Sequence, residues 1–202
     1  MKKKRLVVLD PRHGGMDSGL RTADGLLEKE VNLIVCQEIK QRLGDVGVDV
    51  MLTRDGDYEV ESMSRAALAN GRGADLFVSW ACDMLDDDKV RGVSLWLHDS
   101  FREVKGVRGI SEQVTKLIRF ERVGERLAGM SGQVMLGVFQ EPDDVLSLVD
   151  APAVKIKGAF LSNETERKLC QKDVFLHAQA RGAAFGILEM LHEQERLQRA
   201  AQ

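Results

Sequence analysis

The chain has 202 residues, enough for one domain around one sizeable core. Hydrophobic residues make up 44% and charged residues 30%, which excludes a disordered polar chain. The formal net charge of −3 and the 5% aromatic content leave no basic, aromatic-interleaved surface for nucleic acid and no global pull toward an anionic membrane.

In chain order, Lys2 to Arg5 imitates the basic start of an export signal. The apolar stretch after it, Leu6 to Leu9, is too short for a signal core and no small-residue cleavage site follows. No segment approaches the length of a transmembrane helix. The compartment is therefore left undefined: the chain stays inside the cell, or a leader or anchor has been removed. Leu6 to Leu9 reads as a buried strand feeding a glycine-rich loop, Asp10 to Gly25. A helix is expected over 28–43, with Val31, Ile34, Val35, Ile39 and Leu43 on one face and Gly44 and Gly47 at its stop. Val48 to Thr53 is a second strand, and Arg54 to Tyr58 a charged loop. Ser62 is expected to cap a short helix carrying Met63, Ala66, Ala67 and Asn70. Leu76 to Trp80 is a third strand, and Asp83 to Lys89 an acidic, solvated loop. Val93 to His98 alternates, as a strand with one face partly open near a sheet edge does. A long helix follows from about Ser111 to Leu127. Val134 to Phe139 and Val145 to Leu148 are weaker extended segments, and Ala153 to Ile156 is the last strand. A final helix runs from about Val174 to Leu191 or beyond, and the tail Glu193 to Gln202 reads as its solvated end. The sum is an α/β fold: a single domain over 1–202 with a mostly parallel central sheet and helices on both faces. In such a sheet sites gather at the carboxyl ends of strands, here Asp10 to His13, Arg54, Trp80 to Asp83 and Ile156 to Ala159.

The three cysteines, Cys36, Cys82 and Cys170, form no C-x-x-C pair, which argues against a disulfide framework or a structural zinc site. Cys36 and Cys170 read as core filling. His13, after a strand and beside Gly14 and Gly15, is a weak metal-site signal, since glycines let the backbone approach a ligand closely. Glu28 at a helix start is equally explained by the helix dipole. Trp80 and Trp96 read as packing residues rather than sugar platforms, and His98, His177 and His192 as surface or packed residues.

The run Leu9-Asp10-Pro11-Arg12-His13-Gly14-Gly15-Met16-Asp17-Ser18-Gly19 resembles the opening signature of the zinc-dependent N-acetylmuramoyl-L-alanine amidases, D-P-G-H-G-G-x-D-x-G. Further likenesses follow in that family's order. Glu28 to Leu33 is similar to its E-K-D-x-N-L element, Leu52-Thr53-Arg54 with Asp57 to its L-T-R-x-x-D loop, and Arg65 with Ala69-Asn70 to its R-x-x-x-A-N helix. Ala74 to Ser79 is similar to its A-D-x-F-x-S strand, and Pro152-Ala153-Val154 with Phe160 to Asn163 to its closing P-A-V and G-F-L-S-N. The resemblance implies hydrolysis of the amide between the lactyl group of N-acetylmuramic acid and L-alanine in peptidoglycan. It also implies a zinc held by the first-motif His, the helix-start Glu and a second His, with a Glu as general base.

Carried over residue by residue, the resemblance implies an incomplete site. His13 and Glu28 match the first two metal ligands. Ala81 stands at the third-ligand position and Lys157 at the general-base position, and neither residue can do the expected work. Arg12 replaces a glycine beside His13. Arg12, Arg54 and Asn163 are expected as pocket or loop positions, and Lys157 as a cation that balances Glu28 in place of the metal. Cys82, Asp83 or His98 are alternatives for completing a shifted metal site. The expectation is an amidase-like protein that is catalytically inactive, holds no cofactor, and binds a peptidoglycan fragment or a protein partner. An active zinc amidase with a rewired site, and a self-assembling scaffold, are the alternatives.

Overall fold

The computed structural model describes residues 4–98 and 107–200, with side chains at 4–98 and 119–196. Residues 1–3 of the basic run, and 201–202 of the tail, lie outside the described residues. The strands are β1 (Leu6–Pro11), β2 (Asp49–Leu52), β3 (Leu76–Asp83), β4 (Val93–His98), β5 (Met135–Glu141) and β6 (Ala153–Phe160). The helices are α1 (Glu28–Asp45), α2 (Ser62–Arg72), α3 (Val107–Ser131), α4 (Glu164–Cys170) and α5 (Asp173–Ala200). The sheet order is β2-β1-β3-β6-β4-β5, parallel at every pairing except β4 with β6. No described helix is long and apolar enough to cross a membrane.

Alternation along each strand sends its side chains to two cores. Val7 and Leu9 of β1, Val78 and Trp80 of β3, and Val154 and Ile156 of β6 face one side, the back of the sheet, where they meet α1, α3 and α5. Val8 and Phe77 face the other side, the front, with Ala69 of α2 and with Val145 and Leu146. The α/β architecture with helices on both faces is as expected from the sequence.

Helix α1 buries Val31, Val35, Ile39 and Leu43, a stripe at helical spacing, while Ile34 is exposed, off the face on which the periodicity placed it. Ser62 does not cap α2: it is the first helical residue, Glu61 holds the cap position, and no side chain bonds there. The helix stops at Gly73, whose φ of 62° lies in the left-handed region. Val145 to Leu148 is not extended. Leu146–Leu148 is a 3-10 turn, held by Asp143, whose Oδ1 accepts from the Val145 and Leu146 amides. Helices α3 and α5 run antiparallel and pack backbone to backbone. A Cβ on Gly182 would lie 2.6 Å from Leu127 Cα, and one on Gly186 2.7 Å from Val123 Cα.

Helix α4, absent from the sequence reading, carries a junction. Buried Glu166 accepts from the Phe160 amide at 2.7 Å, the Gly92 amide at 2.8 Å and Gln133 Nε2 at 2.7 Å. One carboxylate thereby ties the end of β6 to the start of β4 and the end of α3.

Candidate functional site

Four of the sequence likenesses converge on one carboxylate. Asp10 is fully buried at the end of β1. Its Oδ1 accepts from Thr53 Oγ1 at 2.6 Å and Arg65 Nη1 at 2.6 Å, and its Oδ2 from Ser79 Oγ at 2.7 Å. A charge so placed is tolerated because it is paired and its lone pairs are filled. Arg54 is a second clamp. Only 1% exposed, it donates to the carbonyls of Pro11, Arg12, Lys29 and Gly56. Arg54 is thus a loop position, not a pocket position. Lys29 Nζ bridges Gly15 O and Asp57.

These clamps shape the loop that presents His13. Its φ of 64° is the one positive value among described non-glycine residues, and Arg65 Nη2 holds its carbonyl at 3.0 Å. One ring nitrogen, Nδ1, meets Asp17 Oδ2 at 2.8 Å, and the other, Nε2, meets Glu28 Oε2 at 3.2 Å. Glu28, at the start of α1, also accepts from the amides of Leu20 at 2.9 Å and Cys82 at 2.8 Å. Burial opposes charge on both groups. For His13 the carboxylates of Glu28 and Asp17 outweigh it and raise the pKa. For Glu28 the imidazole and the two amides outweigh it and lower the pKa. The two sequence-predicted ligands therefore meet, and each satisfies the other.

Ala81 and Lys157 are register partners on β3 and β6, so both face the front of the sheet. Ala81 is buried. Lys157 does not balance Glu28, contrary to the expectation from sequence. Its Nζ lies 2.9 Å from Asp83 Oδ2, 3.7 Å from Glu141 Oε2 and 4.0 Å over the Trp96 ring. Glu28 instead meets His13 Nε2 at 3.2 Å. Lys155, two residues earlier on the same face, pairs with Glu141 and with Asp143 at 2.8 Å, and Asp143 in turn meets Arg12 at 2.9 Å. An alternating row, Arg12–Asp143–Lys155–Glu141–Lys157–Asp83, thus crosses the front of the sheet, each charge flanked by the opposite sign. Burial would raise the Asp143 pKa, but Arg12 and then Lys155 outweigh it and hold it low.

A family model described as N-acetylmuramoyl-L-alanine amidase matches residues 7–189. The chain belongs to that amidase family. It is 27% identical to N-acetylmuramoyl-L-alanine amidase AmiA of Escherichia coli, over 94% of this chain and 77% of AmiA. It is 33% identical to the endolysin of Bacillus phage SPP1, over 93% of this chain and 66% of the endolysin. Among solved structures, amidase AmiC2 of Nostoc punctiforme superposes with a TM-score of 0.83 at 27% identity, covering 95% of this chain and 99% of that one. CwlD of Clostridioides difficile, solved in complex with the GerS lipoprotein, shares the fold with a TM-score of 0.78 at 22% identity, covering 94% of this chain and 99% of that one.

Zinc dependence is a property of the amidase family. A catalytic zinc takes three protein ligands, and the described site brings together two of the candidates, His13 and Glu28. Among the described residues no group of three or more His, Cys, Asp or Glu is arranged to hold a metal. Cys82 faces Asn32, with Sγ 3.9 Å from Oδ1, and burial pushes its thiol well above the usual range, against the thiolate a metal needs. Asp83 is engaged by Lys157. His98 ends β4, which runs opposite to β3 and lies two strands away. Asn163 is a loop position: it caps α4 through the Glu166 amide and donates to Asp88 O. Sequence reasoning missed Lys155, Glu141 and Asp143. The alternation of Lys155 with Lys157 on a strand otherwise apolar was the available signal.

Proposed function

We propose that this member of the amidase family does not catalyse. It uses the strand-end loops around His13 and Glu28 to bind a peptidoglycan fragment or a protein partner without a bound zinc. One observation carries this reading: where the family resemblance implies a third metal ligand and a carboxylate base, Ala81 and Lys157 stand side by side, and Lys157 is tied into an ion row of its own. A methyl group supplies no lone pair. An ammonium has no lone pair with which to take a proton from water, whereas the carboxylate implied at that position has. Without a polarising ion or a base, neither the nucleophile nor the charge on the scissile carbonyl is provided for. The left-handed backbone at His13 and the clamps that hold its loop support a site organised for binding. CwlD, an amidase of the same fold seen with a lipoprotein, makes a protein ligand a concrete option.

The test is elemental analysis after incubation in excess zinc and dialysis, beside digestion of purified sacculi. Zinc well below one per chain and no stem-peptide release above a His13→Ala control are expected. One zinc per chain, lost on His13→Ala and accompanied by release, would establish the rewired active enzyme. Absence of any binding to peptidoglycan or protein would leave the scaffold.

A further inference from the structure

Exposed apolar side chains collect at the end of the sheet that holds His13. Met16, in the β1–α1 loop, is 93% exposed, and Met63, in the first turn of α2, 73%. Tyr58 lies between them in sequence, and Met84 and Leu85 follow β3. Because β1, β2 and β3 are parallel, all five sit at one strand end of the sheet. The loops touch: a Cβ on Gly14 would meet Tyr58 O at 2.3 Å, and one on Gly15 the Glu59 amide at 2.7 Å. On the far side of His13 and Glu28, the Leu85 amide is fastened to Ser162 Oγ.

The exposed charge around this rim is unequal, with Arg21 in the β1–α1 loop among its cations. Asp86, Asp87 and Asp88 are exposed beside Met84 and Leu85, and the same loop goes on to two cations, Lys89 and Arg91, of which Arg91 acts on the buried Glu166. Glu59 and Glu61 are exposed between Tyr58 and Met63. The cations nearest the centre are already spent: Arg12 on Asp143, Lys29 on Asp57, Lys157 on Asp83, and Arg54 on carbonyls. The balance of charge on the rim is therefore negative, and its apolar content is mostly methionine, a side chain that adapts to varied apolar partners.

We infer that this strand-end rim is a docking surface for a protein segment that is both basic and apolar. The inference rests on the non-catalytic reading and chooses between its two ligands. Peptidoglycan stem peptides carry free carboxylates, which an acidic rim repels, whereas a basic amphipathic segment answers both the charge and the methionines.

The experiment uses the full chain labelled with 13C at methionine methyls. Three probes are titrated: an amphipathic Leu/Lys peptide, a Ser/Lys peptide of equal charge, and soluble muropeptides. The Leu/Lys peptide is expected to shift the Met16, Met63 and Met84 methyls and leave those of Met51 and Met190 in place. Its affinity should fall about tenfold or more in a D86N/D87N/D88N variant, with unchanged Met190 signals showing that the variant is folded. Equal binding of the Ser/Lys peptide, shifts confined to Met51 or Met190, no shift at all, or rim shifts produced by muropeptides alone would each overturn the docking surface. None of these touches the non-catalytic reading, which zinc-dependent release of stem peptides would overturn by itself.

Discussion

His13 carries two carboxylates, one on each ring nitrogen, and this makes its titration informative. Its pKa is raised above the ordinary value of 6.5 despite burial, because Glu28 and Asp17 favour the imidazolium. A group with a raised folded pKa contributes stability that is complete below pH 6.5 and is lost as pH rises through the folded value. An NMR titration of the His13 ring should therefore show a midpoint above 6.5, lowered by Glu28→Gln or Asp17→Asn. A midpoint at or below the ordinary value would contradict the pairing. Lys157 makes a second case. Lys157→Met takes the ammonium from Asp83 and leaves Glu141 with Lys155, and should cost about 2 kcal/mol, read as a lower urea midpoint at unchanged slope. The family resemblance pointed to Ala81 and Lys157 from the motifs alone. It did not show where the Lys157 ammonium goes, because Asp83 and Glu141 are far from it in the chain and meet it only through the sheet order.

Helix packing and strand junctions explain what the sequence pattern left out. The strands were legible because short apolar runs punctuated by glycine, proline and aspartate mark them well. Helix α4 was not, since its seven residues give too little periodicity, and its stability comes from the Asn163 cap and from the bonds of Glu166. The same bonds make a prediction. Glu166→Ala strands the buried amides of Phe160 and Gly92 and should cost about 2–4 kcal/mol by denaturant titration. A cost under about 0.5 kcal/mol would mean that water replaces the carboxylate freely. The α3–α5 contact gives a prediction of opposite sign to helix propensity. Glycine to alanine inside a helix ordinarily gains up to about 1 kcal/mol. Here the new methyl on Gly182 or Gly186 would press on the backbone of Leu127 or Val123, so Gly182→Ala and Gly186→Ala should each lower the melting temperature. The glycine pair was readable in the sequence, but nothing local said which helix it would meet.

Across the whole molecule, the clamps that hold the amidase scaffold and the residues proposed for the altered site are different sets. Asp10, Thr53, Arg65 and Ser79 fasten β1, β2, α2 and β3 through hydrogen bonds that involve neither Ala81 nor Lys157. Restoring both positions should therefore couple zinc to global stability. Ala81→His supplies a third donor beside His13 and Glu28, but alone it crowds a buried position and leaves the Lys157 ammonium on the same face. Lys157→Glu alone removes the cation between Asp83 and Glu141 and adds a carboxylate, so it should melt lower without zinc than the parent. Together they offer three ligands and a base, and zinc would neutralise the added charge. At a free zinc concentration about a hundredfold above the dissociation constant, linkage stabilises the folded state by about 2.7 kcal/mol. For a chain of this size that is a rise of roughly 5–10 °C in melting temperature. The shift should exceed the sum of the shifts in the two single variants, because the groups share one site. If Lys157→Glu alone gains as much from zinc as the double variant, the ion is held by the carboxylates of the front row. The assignment of Ala81 to a ligand position then fails, while the fold, which rests on the Asp10 hub, stands.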